Sequence, residues 1–239
     1  MTSMLSFPTK QRLIIAASTI GKTHVSRNMP NQDAYLVEEF ENGFCLAVAD
    51  GVGSDTNSEF ASKAAVEAVR DVFINYTPEM LNNLHKLLCD SFNVKMQDAP
   101  VVSSGTTCIF CVYLYEQGLF LGQVGDGICS GFVDGEPFVL AEKESDFSNL
   151  VHPLVRDCQP SLWRITFFQG VSNIELMLAT DGVADDILPG KASDFCRYLI
   201  SIVADFPEAE RQKCLIDILQ NWETPNSNDD KTIVLCKII

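Results

Sequence analysis

The sequence predicts an α+β fold, a four-layer αββα sandwich of two mainly antiparallel sheets flanked by helix pairs. Three observations lead to this prediction. Strand-like apolar runs follow one another over long stretches, helical patterns occur as one early pair and one late pair, and no strand–helix alternation indicates a parallel sheet. No linker-like stretch divides the 239 residues, so residues 1–239 are expected to form a single domain.

The first third of the chain has the pattern of three strands followed by two helices. The strands are predicted at 13–18, 34–40 and 44–49. From Ser58 to Tyr76, apolar residues recur at helical spacing, and Pro78 is expected to begin a second helix. We expect these two helices to pack together on one face of a sheet.

The middle of the chain is predicted to be a meander of antiparallel hairpins. Its strands are expected at 106–115, 119–124, 128–133 and 138–140. Asp134-Gly135 is typical of a two-residue hairpin turn. Residues 142–161 are polar and irregular, and we interpret them as a flap over the functional site. The remaining predicted elements are strands at 163–169 and 175–180, helices at 192–204 and 208–222, and a closing strand at 232–239.

The amino-acid composition limits the binding partners and the cellular location that we expect for the protein. The 17 Lys+Arg against 32 Asp+Glu give a formal charge of -15, which would repel nucleic acid and anionic lipid, so neither partner is expected. No apolar run approaches the roughly 20 residues that a membrane-spanning helix requires, so we expect a soluble protein. The nine cysteines lie mostly inside apolar runs, as buried thiols do in a reducing compartment, and this favours a cytoplasmic location.

One pair of cysteines has the spacing of a redox or zinc motif. However, Cys108 and Cys111 lie in a predicted strand, where residues three apart face opposite sides. No second cysteine pair or nearby histidine completes a zinc set. Two core thiols are therefore the preferred interpretation.

Four aspartates occur where a strand-like apolar run meets a turn. Asp50, Asp126 and Asp181 are each followed by glycine, and Asp229 lies just ahead of the closing strand. Carboxylates held beside a residue without a side chain are good oxygen ligands for hard divalent cations. Because the runs before Asp50 and Asp181 are almost continuously apolar, we expect buried strands that end in a carboxylate. The pattern indicates metal-dependent phosphate chemistry.

Six short motifs, which span nearly the whole chain, occur in a familiar order. They are Asn31-Gln32-Asp33-Ala34, Val48-Ala49-Asp50-Gly51-Val52-Gly53, Ser104-Gly105-Thr106-Thr107, Val124-Gly125-Asp126-Gly127, Ala179-Thr180-Asp181-Gly182 and Asp229-Asp230-Lys231-Thr232. Together they resemble the type 2C metal-dependent protein serine/threonine phosphatases, in the compact form of the bacterial branch. The resemblance implies one phosphatase catalytic domain, with two manganese or magnesium ions at one end of the sandwich.

The resemblance also implies a role for each ligand. Asp50 would bridge both ions, and the backbone carbonyl of Gly51 would bind one of them. Asp181 and Asp229 would bind the other ion, and Asp33 would complete that shell directly or through water. Of this set, Asp50 and Asp33 are the expected catalytic residues.

A third, weaker metal site is implied at Asp126, together with Asp185. On the same match, the hydroxyls of residues 104–107 are expected to support the ligands from the start of a strand. Whether Asp229 or its neighbour Asp230 is the ligand remains open from the sequence.

Two cations about 4 Å apart can hold a shared water, lower its pKa and aim it at phosphorus, so no protein nucleophile is required. Consistently, the chain contains no Gly-x-Ser-x-Gly elbow. The expected activity is hydrolysis of phosphoserine or phosphothreonine in a phosphorylated protein, opposing a serine/threonine kinase in signalling. Two alternatives stay open: a phosphatase-like binding module with little or no turnover, and a hydrolase of small phosphorylated metabolites.

Two positions depart from the family pattern. Val52 stands where many members have a histidine that is a candidate proton donor to the leaving group. Gly21-Lys22-Thr23-His24 replaces a Gly-x-x-Arg motif whose arginine binds phosphate. We therefore expect His24, Arg27 or both to contact the substrate phosphate, whereas His85 is interpreted as an ordinary helix-surface residue.

Overall fold

The structure of the protein, a computed structural model, describes residues 12–52, 57–98, 104–141, 152–222 and 228–239. These residues contain ten β-strands and six α-helices. The strands are β1 (Arg12–Thr19), β2 (Ala34–Phe40), β3 (Gly43–Ala49), β4 (Cys108–Leu114), β5 (Gly118–Val124), β6 (Ile128–Val133), β7 (Glu136–Ala141), β8 (Arg164–Phe168), β9 (Ile174–Ala179) and β10 (Lys231–Ile238). The helices are α1 (Lys22–Arg27), α2 (Ser58–Ile74), α3 (Leu84–Lys95), α4 (Asp181–Ala184), α5 (Ala192–Ala204) and α6 (Glu208–Gln220).

The strands form two five-stranded antiparallel sheets. Sheet A has the strand order β1-β10-β9-β6-β7, and sheet B has the order β2-β3-β4-β5-β8. One apolar layer lies between sheet B and helices α2 and α3, a second lies between the two sheets, and a third lies between sheet A and helices α5 and α6. The predicted four-layer α+β sandwich is therefore confirmed.

Strand β4 shows why the central strands are apolar along their whole length. It is buried at every position because one face packs on the helices and the other on the opposite sheet. Cys108 lies in the layer beneath the helices, and Cys111 lies in the layer between the sheets. The prediction of two core thiols on opposite faces is confirmed.

The predicted meander is wrong at one step. Strand β5 belongs to sheet B and β6 to sheet A, so Asp126-Gly127 carries the chain from one sheet to the other and does not close a hairpin. By contrast, Asp134-Gly135 is confirmed as a hairpin turn. Val133 pairs with Glu136 across it, and both turn residues have positive φ, at 50° and 88°.

The helices differ from the predictions at two places near the chain's motifs. Helices α1 and α4 were not predicted, and they have only six and four residues. Pro78 begins a short 3₁₀ segment, Pro78–Asn83, which leads into α3. No helix in the described parts of the chain is both long and apolar enough to cross a membrane.

The predicted flap is described only in part. Residues 142–151 lie outside the described residues, while the rest of the segment packs on the sandwich. There the backbone of Leu154 exchanges two hydrogen bonds with Thr106, at 2.7 and 2.9 Å. A role as a flap over the site stays a prediction.

Candidate metal centre

Antiparallel pairing brings two of the predicted ligands together at one end of sheet B. Ala34 at the start of β2 pairs with Ala49 at the end of β3. The residue before β2 and the residue after β3 are therefore neighbours, and these residues are Asp33 and Asp50.

The same end of sheet A carries the other carboxylates. Ala179 at the end of β9 pairs with Ile233 near the start of β10 and with Ile128 at the start of β6. Asp181 follows β9, and the two remaining acids precede the strands beside it. These are Asp229 before β10 and Asp126 before β6.

Asp50 lies among the other carboxylates. Burial raises its pKa well above the usual value, and the negative charges of Asp33, Asp181 and Asp229 raise it further. Four carboxylates from separate segments thus interact in one site. Such an arrangement is unfavourable unless protons or cations neutralise part of the charge.

Asp33 is 7% exposed, and only one of its oxygens accepts a hydrogen bond from the residues that the structure describes. The Thr180 hydroxyl donates to Oδ2 at 2.9 Å, whereas no donor in the described parts of the chain reaches the buried Oδ1. Burial is the main cause that raises the pKa of Asp33 to about 6. A buried carboxylate oxygen without a donor is the chemistry expected of a cation ligand.

Asp181 stands at the start of α4, where the Gly182 N–H donates to its Oδ1 at 2.7 Å. Burial, followed by the charges of Asp126 and Asp229, raises its pKa to about 7. Asp185 is one turn further along the chain and is exposed. Partial desolvation and the charges of Asp186 and Asp229 raise its pKa as well.

The backbone of Asp50 is fixed by the threonines of the motif at 104–107. The Thr107 hydroxyl accepts from the Asp50 N–H at 3.0 Å, and the Thr106 hydroxyl donates to the Asp50 carbonyl at 2.8 Å. These hydroxyls hold the backbone of Asp50, while its role as a metal ligand stays a prediction. The next residue, Gly51, must be a glycine, because a Cβ there would lie 2.7–2.8 Å from atoms of Ser58 at the start of α2.

Asp126 lies on the crossover between the sheets, and a buried glutamine shapes this loop. Nε2 of Gln123 donates to the carbonyls of Gly125, Asp126 and Gly127 at 3.0, 3.1 and 2.9 Å. Nη2 of Arg164 also donates to the Gly125 carbonyl, at 3.3 Å. The loop that presents Asp126 is therefore held from inside sheet B.

The adjacent residues Asp229 and Asp230 have different environments. Asp230 is 1% exposed and accepts three hydrogen bonds, whereas Asp229 is exposed, and its charge raises the pKa of both Asp50 and Asp181. His24, Asp229 and Asp230 are the only described group whose ligand atoms all lie within 4.8 Å of one another. Asp33, Asp50 and Asp181 do not belong to this group among the described residues.

The two predicted phosphate-binding residues lie on α1 and differ in exposure. His24 is 5% exposed, and its Nδ1 lies 2.8 Å from Oδ2 of Asp230. Arg27 is exposed in the last turn of the helix. For both residues, contact with phosphate stays a prediction.

Comparison with known proteins assigns the chain to one family. The sequence model described as protein phosphatase 2C matches residues 20–220. The chain belongs to the protein phosphatase 2C family. No curated protein sequence matches it.

Solved structures share this phosphatase 2C fold at low sequence identity. The catalytic domain of the serine/threonine phosphatase PstP in complex with two manganese ions is 18% identical, with a TM-score of 0.68, and the match covers 97% of this chain and 100% of that one. Stp1 from Staphylococcus aureus is 15% identical, with a TM-score of 0.64 and coverages of 100% and 98%. RsbX in complex with magnesium is 14% identical, with a TM-score of 0.61 and coverages of 98% and 98%.

Sequence reasoning missed two buried polar residues of this phosphatase 2C site. Thr180 is 1% exposed and holds Asp33, and Gln123 is 0% exposed and holds the loop of Asp126. A signal for Gln123 was present, because a lone glutamine in an otherwise apolar strand must find partners when it is buried. Thr180 gave no comparable signal, since it also fits the end of an ordinary strand.

Gly21, the first residue of the phosphatase's Gly-x-x-His segment, allows a close backbone approach. A Cβ at this position would lie 2.6 Å from the Asn228 carbonyl oxygen and would also meet the backbone of Asp229. We expect Gly21→Ala to lower the free energy of unfolding by about 1–3 kcal/mol, because backbone atoms cannot move aside as a flexible side chain can. Urea denaturation measures this change. Lys22→Ala, at an exposed neighbour, is the control, and equal midpoints for the two variants would contradict the expectation.

Proposed function

We propose that the protein is a metal-dependent phosphatase that hydrolyses phosphoserine and phosphothreonine monoesters of a phosphorylated protein. The observation that carries this proposal is the convergence of Asp33, Asp50, Asp181 and Asp229 at one end of the sandwich, where burial and the charges of neighbouring carboxylates raise the pKa values of Asp33, Asp50 and Asp181. Membership of the phosphatase 2C family supports it.

The residues present fit a pair of divalent cations. The buried Oδ1 of Asp33 has no donor among the described residues, and carboxylate oxygens are the ligands that Mn²⁺ and Mg²⁺ prefer. In our proposal Asp50 would contribute to holding both ions, the Gly51 carbonyl would hold one, and Asp181 and Asp229 would hold the other, with Asp33 completing that set directly or through water. When bound, the cations supply positive charge that lowers the pKa of water and offsets charge on the phosphoryl oxygens.

The protein's own contribution is to hold these oxygens in place before substrate arrives. Thr180 fixes Oδ2 of Asp33, and the Gly182 N–H fixes Oδ1 of Asp181. Thr106 and Thr107 fix the backbone that carries Asp50. Asp33, Asp181 and Asp50 thus each have a partner that fixes a carboxylate oxygen or the backbone, and such supporting contacts commonly change metal affinity or activity by about 10–100-fold.

A third, weaker cation site is part of the proposal. Asp126 and Asp181 are close enough for the charge of Asp126 to be the second cause of the raised pKa of Asp181. Asp185 is exposed, and the charge of Asp229 is one of the causes that raise its pKa. We propose that Asp126, with Asp185, binds this ion more weakly because the site is more open to water.

The proposed setting is the cytoplasm, where the phosphatase opposes a serine/threonine kinase. All nine cysteines are buried and free, which suits a reducing compartment. The proposed location rests on this observation, and the proposed kinase partner rests on the family.

A phosphatase-like binding module is the second candidate. It is favoured by Val52, which offers no proton donor, and by His24, whose ring is buried where the family pattern has a phosphate-binding arginine. Such a module would keep the metal ligands and lose turnover.

Phosphate release from p-nitrophenyl phosphate and from a phosphothreonine peptide tests the proposal. We expect both activities to require manganese, to disappear with a chelator, and to return when manganese is added in excess. Activity on small phosphate esters with none on the peptide would favour a metabolite hydrolase. Manganese binding without any turnover would favour the binding module.

A further inference from the structure

The carboxylate of Asp230 is buried and accepts hydrogen bonds from three donors. The Gly21 N–H donates to Oδ1 at 2.7 Å, and the Gln32 N–H and Nδ1 of His24 lie 2.6 and 2.8 Å from Oδ2. A carboxylate only accepts, so Nδ1 of His24 is the protonated nitrogen in this contact. Hydrogen bonds to a charged acceptor in the interior are among the stronger ones in a protein.

One of the three donors, the Gln32 N–H, leads directly to two proposed metal ligands at the end of sheet B. Gln32 immediately precedes Asp33, and its carbonyl accepts from the Gly51 N–H at 3.2 Å. The carboxylate of Asp230 therefore fixes the peptide on which both Asp33 and Gly51 depend. Displacement of Gln32 would move these two ligands together.

The third connection reaches the ligand before β10. Asp230 follows Asp229 directly, and the Thr23 N–H donates to the Asn228 carbonyl at 3.0 Å. His24 lies one residue further along α1, and its ring contacts the Asp230 carboxylate. Helix α1 is thus joined to the segment that presents Asp229 at two points.

We infer that Asp230 and His24 form a positioning pair for the proposed metal centre. They fix Asp33, Gly51 and Asp229 relative to one another and contact neither metal nor phosphate themselves. The inference rests on the proposed function, because it assigns these residues to the same metal centre. Three of about four lone-pair positions of Asp230 are already used, so the group formed with His24 and Asp229 is a scaffold rather than a separate cation site.

Four variants test the pair. Asp230→Asn removes the carboxylate, and His24→Ala removes its side-chain donor. His24→Asn places an amide N–H two bonds from Cβ, where Nδ1 stands, while His24→Gln places it one bond further away. His85→Ala, at an exposed histidine of α3, is the control.

Manganese affinity by isothermal titration calorimetry is the main measurement. We expect Asp230→Asn and His24→Ala to raise the Kd for manganese by about 10–100-fold, as residues that orient ligands do. His24→Asn should restore more of the affinity than His24→Gln. At saturating manganese, kcat and the substrate KM should return to near the wild-type values, since the substrate does not touch the pair.

A metal-free readout checks that the variants act through the contacts described. Amide hydrogen exchange at Gly21, Gln32 and Gly51 should be faster in folded Asp230→Asn than in the wild type. Folding is monitored by circular dichroism, and the two amide variants His24→Asn and His24→Gln keep the test decisive if His24→Ala does not fold.

Three results would overturn the inference. One is an unchanged manganese Kd in folded Asp230→Asn and His24→Asn, and a second is equal affinity in His24→Asn and His24→Gln. The third is a raised substrate KM in His24→Ala with no change in the manganese Kd, which identifies a phosphate contact instead. Failure of the proposed function looks different: the wild type would then bind manganese and release no phosphate, while the affinity differences among the variants would persist.

Discussion

Asp50→Asn is expected to lower the hydrolysis of p-nitrophenyl phosphate by at least about 100-fold at saturating manganese. Residues that only orient metal ligands typically change activity by about 10–100-fold, and Asp50 is proposed to touch both ions itself. Asparagine keeps the shape of the side chain but removes its negative charge and replaces one carboxylate oxygen with an NH2 group, which does not bind cations. The loss should therefore appear in kcat as well as in manganese affinity.

The measurement compares initial rates of phosphate release over a manganese titration. Asp181→Asn should show a comparable loss, because this residue is proposed to bind one of the two ions. His85→Ala should stay near the wild type, since His85 is exposed on α3, away from the carboxylates. Retention of more than a tenth of the wild-type kcat by folded Asp50→Asn would rule out its role as the bridging ligand. A matching loss in His85→Ala would indicate misfolding.

The strands could be predicted because each one gives a strong apolar pattern over its whole length. Strands β3 and β9 are buried along nearly their full length, so they appear as continuous apolar runs that end where a carboxylate begins the site. Aspartates at the ends of such strands also predict which residues meet, because antiparallel pairing places the start of one strand beside the end of its neighbour. The two sheets followed from this pattern, whereas the position of the site at one end of the sandwich was implied by the family resemblance.

Short elements and changes of sheet lack such a signal. Helix α4 has four residues, little more than one turn, so it presents no apolar period although it begins at Asp181. The step between β5 and β6 gives the same turn signal, Asp126-Gly127, that a hairpin would give. Only the pairing of β6 with β9 shows that the chain has changed sheet there.

The choice between Asp229 and Asp230 illustrates a limit of a different kind. Both are acids in one motif, and the sequence gives them equal chemistry. The structure distinguishes them because the oxygens of Asp230 already accept N–H groups from Gly21 and Gln32, residues about 200 positions away along the chain. Contacts of that separation leave no local trace, and for the same reason the burial of His24 could not be predicted.

Removal of the metal is expected to make stability fall as the pH rises from 5 to 8. The pKa values of Asp33 and Asp181, about 6 and about 7, lie above the roughly 3.9 of an aspartate in an unfolded chain. The folded metal-free protein therefore binds protons that the unfolded chain has released. Stability from these groups is fully present below about pH 4 and is lost as the pH passes through 6 and 7.

One pKa unit corresponds to about 1.4 kcal/mol, and because the carboxylates interact we expect a total loss on the order of 3 kcal/mol. For a protein of this size that corresponds to a fall in Tm of roughly 5–10 °C. Thermal melts in chelator at pH 5, 6, 7 and 8 measure the change. Asp71 and Glu175, whose pKa values are lowered, titrate below this range and do not obscure it.

Manganese should remove this pH dependence and Asp50→Asn should reduce it, for different reasons. The cation neutralises the ionised carboxylates, so the Tm of the manganese-loaded protein should exceed that of the metal-free protein most at pH 8. Asp50→Asn deletes one buried charge, so the metal-free variant should melt above the metal-free wild type at pH 8 and close to it at pH 5. Asp194→Asn, which deletes an exposed charge on α5, is the matched control and should leave the slope unchanged. A metal-free Tm that stays constant or rises between pH 5 and 8 would contradict the premise that these carboxylates destabilise one another.

In the expected case, the same substitution that abolishes turnover stabilises the metal-free fold, because charges that bind cations are costly to bury without them.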